Sequence, residues 1–223
     1  MKYTYFDIET GPLPDAELLQ MIKPFEASEV KLGNIKDPDK IAAKLKEKEI
    51  NHFADARDKA ALSPLTGRVL AIGLLTGTDE DCLAAIGSLT STDADEALIL
   101  EDFWRRFRNS TNYFIGFNSN TFDLPFLIKR SWKHGVLVPL SVRDGRYWSK
   151  RFIDLRDTWQ MGDRQASGSL DRICCHFGLE GKNGNGKDFA RLFELDKELA
   201  LDYLRNDLRM TRQVAERMNG AGE

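Results

Sequence analysis

The chain has 223 residues, 42% of them hydrophobic and 30% charged, a composition that excludes a wholly disordered protein and is large enough for a sizeable core. Its 32 Lys and Arg against 35 Asp and Glu leave a formal charge of −3, which excludes coating nucleic acid through bulk positive charge but not a local nucleic-acid site. No apolar run approaches the ~20 residues of a membrane span, and Asp7 comes too early for a secretory segment.

Lys2 to Ile8 has the β-favouring side chains of a strand, broken by Gly11-Pro12-Leu13-Pro14. Residues 38 to 62 are expected to be helical, with Pro38 in the first turn and Ile41, Leu45, Phe53 and Leu62 inward. After the turn Ser63–Gly67, residues 68 to 75 form a strongly apolar strand, and residues 81 to 86 fit the returning arm of a hairpin. Asp93 to Phe107 reads as a helix with Ala97, Leu100, Phe103, Trp104 and Phe107 inward. Tyr113 to Phe117 is a strand, Leu124 to His134 a helix, and Phe152 to Leu155 a short strand. Leu170 to Phe177 is a helix capped by Ser169, residues 178 to 186 a glycine-rich loop, Asp196 to Met218 a long helix, and residues 219 to 223 a fraying end. This order predicts an α/β fold, a mixed sheet flanked by helices.

Three acidic signals stand out. Asp7 and Glu9 are two apart on a strand, so they share a face, and two adjacent carboxylates invite a hard divalent cation. An exposed Asp-x-Glu strand is the plainer alternative. Asp123 follows a strand at the start of a helix, where it opposes the macrodipole or joins a site. Tyr203 and Asp207, four apart on a helix, present a phenol and a carboxylate on one face.

Together these resemble the three motifs of the DEDD family of 3′–5′ exonucleases in its tyrosine-bearing subclass. Asp7 and Glu9 match D-x-E, Asn118, Phe122 and Asp123 match N-x-x-x-F-D, and Tyr203 and Asp207 match Y-x-x-x-D. Residues 63 to 73 look like the second strand of predicted exonucleases related to the proofreading domain of family-B DNA polymerases. Residues 169 to 182 are similar to the segment before the third motif of those proteins. The resemblance covers most of the chain except residues 12 to 62, expected to be a helical insertion in a single exonuclease domain spanning 1 to 223. It implies a ribonuclease-H-like fold, a mixed five-stranded sheet with helices on both faces.

It also implies two divalent cations, Mg²⁺ or Mn²⁺. Asp7 bridges both, Glu9 and Asp207 complete the site of the attacking water, and Asp123 holds the second ion. Tyr203 orients the water. Thr10, Gly11, Asn118 and Phe122 are implied substrate contacts or supports, while Asp154 is expected to terminate its strand. The implied substrate is the 3′ end of single-stranded nucleic acid, DNA before RNA, with any polymerase or repair partner acting in trans and no membrane involved. A nuclease-like binding module, an exoribonuclease and a small-nucleotide phosphohydrolase are the competing classes.

The strand itself needs stacking surfaces and local positive charge. Arg143, Arg146, Lys150 and Arg151, interleaved with Tyr147 and Trp148, offer such a platform or else a solvated loop with two aromatics in the core. Lys129, Arg130 and Lys133 either attract phosphate or form a solvated helix face, and Lys182 or Lys187 could reach a phosphate from the glycine-rich loop. The insertion, at the mouth of the Asp7 strand, is expected to restrict access to single-stranded ends. The three cysteines, Cys82, Cys174 and Cys175, fit neither a disulfide framework nor a zinc site, so a reduced, cytoplasmic setting is expected.

Overall fold

The computed structural model describes residues 2–77, 79–84, 93–163, 165–166, 168–181 and 189–218. Two units make up the chain, Met1–Thr10 with Val69–Glu223, and Gly11–Arg68. Among the described residues no helix is long and apolar enough to cross a membrane.

The larger unit is organised by strand alternation. Strands β1 (Tyr3–Pro12), β2 (Gly67–Thr76), β3 (Asp79–Ala84) and β4 (Tyr113–Gly116) combine with β7 (Phe152–Asp154) in one sheet of order β3-β2-β1-β4-β7. β4 runs parallel to β1 and to β7, whereas β2 and β3 form an antiparallel hairpin. Successive residues face opposite layers: Phe6, Phe114 and Phe152 enter one core, and Tyr5, Ile115 and Ile153 the other. On the first face lie α3 (Asp93–Asn109) and α4 (Asp123–Lys133), where the five inward residues expected of α3 all join the cluster. On the second lie α6 (Leu170–His176) and α8 (Lys197–Met218), with Ser169 capping α6 at Arg172 N–H. α7 (Phe189–Leu195) packs with α8 over Leu70 and Ala71.

Two packing details position the site. Gly73 of β2 lies directly beneath α8: a Cβ there would come 2.8 Å from Leu208 Cδ1 and 2.9 Å from Leu204 Cγ. Across the sheet, the carboxylate of Glu96 is buried between Arg130 Nε and Nη2, at 2.8 and 2.6 Å, and His134 Nε2, at 2.8 Å, and it also accepts the Val69 N–H. Burial alone would raise the Glu96 carboxyl, but the bonds from Arg130 and His134, the Arg130 charge and the Val69 N–H outweigh it and hold it at about 2.

The smaller unit holds α1 (Asp15–Met21), a 3₁₀ turn at Ala27–Glu29 and α2 (Pro38–Ala60). Asp37 caps α2 by accepting the Asp39 and Lys40 N–H groups, and Pro38 occupies the first turn. Its core is small: Leu13, Leu18 and Ala60, with Ile22 and Phe53 against them.

Several expectations need correction. β1 does not break at Gly11 but continues to Pro12, since an extended proline is tolerated at a strand end and the Leu13 N–H bonds to Thr66 O at 2.9 Å. Leu62 lies beyond α2 and is exposed. The short helices α1, α5 (Leu155–Gln160) and α7, and the two-residue strands β5 (Arg143–Asp144) and β6 (Tyr147–Trp148), were not expected. Residues 85 and 86 of the expected hairpin arm, residues 182–186 of the loop, and the 219–223 end lie outside the described residues.

Candidate active site

β1 turns Asp7 and Glu9 toward the layer that contains Tyr5, and α8 crosses that layer. Asp207 lies on α8 between the fully buried Leu204 and Leu208. The result is that Asp7, Glu9 and Asp207 each bring a carboxylate oxygen within 4.8 Å of the others. Asp207 and Glu9 are 4% and 9% exposed.

Asp123 enters from the opposite layer, in the first turn of α4. Its Oδ1 accepts the Ile8 N–H at 3.1 Å, which pins α4 to β1 between Asp7 and Glu9, and its carboxyl also shares a hydrogen bond with Asp7. Asp7 therefore belongs to both groups of acids. Burial pushes the Asp123 carboxyl up to about 7; the nearby charge of Asp154 adds to the rise, and the Ile8 N–H and Asp7 oppose it. Four crowded carboxylates with little water are costly unless a cation or proton compensates. Oxygen-only donors of this kind fit hard divalent cations such as Mg²⁺ or Mn²⁺.

Tyr203 lies one helical turn before Asp207, 6% exposed, its ring 6.4 Å from that of Phe189. Thr10 and Gly11 continue β1 beyond Glu9. Phe122 packs on Phe126 at the edge of the core, 5.6 Å between ring centres.

The turn leading into Asp123 is braced from the end of β7. Asn118 has a φ of +61°, a left-handed conformation that asparagine tolerates better than most residues. Asp154 both ends β7 and begins α5, and its carboxylate accepts the N–H groups of Asn118 (2.8 Å), Asn120 (2.9 Å) and Arg156 (2.8 Å). Burial raises its carboxyl despite these bonds. Arg156 and Asp157, which no sequence motif marks, also bond this turn, through Asn118 Oδ1 and the Asn120 amide.

The basic residues divide. Arg143 stacks on Trp148 at 4.6 Å and Arg146 on Tyr147 at 4.9 Å. Trp148 leans on the core and donates its indole N–H to Asn120 O at 3.1 Å, whereas Tyr147 is 64% exposed. Arg151 is not part of a strand platform: it caps the carbonyls of Phe107, Ser110 and Asn112 over the Phe107 ring. Arg130 is not a surface cation either, being 1% exposed and committed to Glu96. Lys129 and Lys133 are exposed, and Lys182 and Lys187 lie outside the described residues.

A family model described as "Predicted 3′-5′ exonuclease related to the exonuclease domain of PolB" matches residues 62–211. That span includes Asp123, Tyr203 and Asp207 and begins after Asp7 and Glu9. No curated protein matches the chain. Among solved structures, the chain is similar to the family B DNA polymerase from the hyperthermophilic archaeon Pyrobaculum calidifontis, at a TM-score of 0.61 and 19% identity. The alignment covers 98% of this chain but only 24% of the polymerase, and the likeness is one of fold. The fold is thus an α/β arrangement, a five-stranded mixed sheet flanked by helices, shared with part of that polymerase.

Proposed function

Because the chain belongs to the family of predicted 3′–5′ exonucleases related to the exonuclease domain of PolB, we propose that it is a metal-dependent 3′–5′ exonuclease of the tyrosine-bearing DEDD type. Its substrate is the 3′ end of a single nucleic-acid strand, DNA before RNA, and its products are nucleoside monophosphates. The observation that carries this reading is the convergence of Asp7, Glu9 and Asp207 within 4.8 Å, with Asp123 hydrogen-bonded to Asp7.

Asp7, Glu9 and Asp207 would hold one divalent cation, and Asp123 with Asp7 would hold a second. Bound Mg²⁺ or Mn²⁺ supplies positive charge for the phosphodiester and lowers the pKa of water. The carboxylates fix where that charge lies and exclude bulk water from between them. Tyr203, one turn from Asp207, donates or accepts a hydrogen bond at the attacking water and so positions it. Thr10, Gly11, Asn118 and Phe122 line the terminal nucleotide or support the residues that do. The protein acts in the cytoplasm on free ends, and any polymerase or repair partner meets it in trans.

Oligonucleotides labelled at the 3′ or the 5′ end test this, each as DNA and as RNA, with Mg²⁺, Mn²⁺ or EDTA. Stepwise shortening from the 3′ end is expected, abolished by EDTA and by Asp7→Ala. Internal cleavage, or activity that survives in Asp7→Ala, overturns the proposal.

A further inference from the structure

We propose that Arg156 and Asp154 are positioning residues for the substrate strand, acting through Asn118. This rests on the exonuclease reading above and extends it to residues that carry no motif.

Asn118 Oδ1 accepts two bonds, from Arg156 Nη1 at 2.9 Å and from Thr121 Oγ1 at 2.6 Å. A guanidinium can only donate, so it fixes that atom as the carbonyl oxygen. The amide's other end, Nδ2, is then a donor with no protein partner among the described residues. A left-handed backbone alone does not require this, since glycine meets it with no side chain at all. What Arg156 adds is a fixed direction for an NH₂ group that fits an acceptor oxygen of a nucleic-acid strand.

Arg156 is itself held in register. Its N–H bonds to Asp154 Oδ1, the same oxygen that takes the Asn118 N–H, while Oδ2 takes the Asn120 N–H. One carboxylate thus sets the start of α5, from which Arg156 reaches, and the turn it reaches to. Three N–H donors divided between two oxygens require two acceptor ends. An asparagine at 154 would direct an NH₂ at one group of them. Asp154 is 4% exposed, so its carboxyl meets a desolvation cost that the three N–H bonds partly offset. The turn continues into α4 through Leu124 N–H to Ser119 O, so strand contact and Asp123 share one rigid support.

The test compares the full chain with Arg156→Ala, Asn118→Asp, Asn118→Ala and the double variant Arg156→Ala/Asn118→Ala. Shortening kinetics in Mn²⁺ are measured beside anisotropy of a 5′-fluorescein single strand in EDTA. Asn118→Asp keeps the oxygen that Arg156 and Thr121 bond and replaces only the NH₂, so it remains folded even if Arg156→Ala does not. It is expected to raise KM and the anisotropy Kd by about tenfold or more, the loss of a hydrogen bond to a charged group. Arg156→Ala is expected to raise both about tenfold with kcat within about threefold of wild type, and to add nothing on top of Asn118→Ala. Additive losses, a fall in kcat at constant KM, or normal binding by Asn118→Asp would each overturn the proposal while leaving the exonuclease reading intact. A wild-type protein that leaves every oligonucleotide whole would instead refute that reading and this one with it.

Discussion

Replacing Gly73 by alanine should disable the site from β2, a strand that carries none of its acids. The added methyl would lie 2.8 Å from Leu208 Cδ1 and 2.9 Å from Leu204 Cγ. Carbon atoms in contact prefer at least ~3.5 Å, so one partner must retreat by about 0.7 Å. Both leucines are fully buried in a close-packed interior, so α8 itself is expected to rise. Overpacking of this kind costs about 1–3 kcal/mol. Asp207 adjoins Leu208, so it moves away from Asp7 and Glu9 by a comparable distance. A displacement near 1 Å at reacting groups can cost on the order of 100-fold in rate. The control is Leu204→Ala, which loses about 2–5 kcal/mol by leaving a cavity but pushes nothing. Urea melts and Mn²⁺-dependent shortening of a labelled strand, expressed per folded molecule, separate the two. Gly73→Ala is expected to be the more stable variant and the less active one. Equal activities, or an intact rate in Gly73→Ala, would refute the view that β2 sets the depth of α8.

Asp123 bears on pH dependence without metal. Its carboxyl titrates near 7 in the fold against an ordinary value of 3.8, so its ionisation opposes folding: the group's contribution falls as pH rises from about 4 to 7. Asp123→Asn should therefore raise the Tm of EDTA-treated protein at pH 8 by about 3 °C or more while abolishing shortening, as thermal melts at pH 5 and 8 would show. Glu96 acts in the opposite sense: held at about 2 against 4.5, it stabilises fully above 4.5 and is lost as pH falls toward 2. Glu96→Gln should flatten that acid limb in melts from pH 5 to 2 and cost about 3–5 kcal/mol at pH 7, because it leaves Arg130 buried without its counter-charge. Tyr203→Phe should lower kcat at least tenfold and leave the anisotropy Kd of a single strand within about twofold, since packing against Phe189 needs only the ring; equal losses in both would make the phenol a strand contact.

The sequence shows most clearly what obeys a repeat. The 3.6-residue spacing of Leu100, Phe103, Trp104 and Phe107 marks the inner face of α3, and the two-residue spacing of Asp7 and Glu9 marks a shared face before any helix is placed over it. Elements of six or seven residues, such as α5 and α7, are too short to repeat, and the two-residue strands β5 and β6 have no period at all. Charged residues mislead in a different way. Arg130 and Glu96 look like solvated positions on two amphipathic helices, and only the crossing of α3 and α4 brings them together where water is absent. Asp154 illustrates the same limit: its partners are backbone N–H groups, which every sequence has, so the bonds that make it necessary leave no mark in the residues around it. The acid cluster itself is suggested by motif order, but the bond from Ile8 N–H to Asp123 depends on the parallel placement of β1 beside β4.

The cluster draws its acids from strands and helices far apart in the chain, and Asp7 and Asp207 are separated by 200 residues. A ribosome adds roughly 5–20 residues per second, so β1 waits many seconds for the helix that completes its site. During that interval the nascent chain carries first two and, after residue 123, three of the four acids, and has no α8 to bring the last. On the exonuclease reading proposed above, the acid site is complete only once residue 207 has been synthesised and α8 has packed.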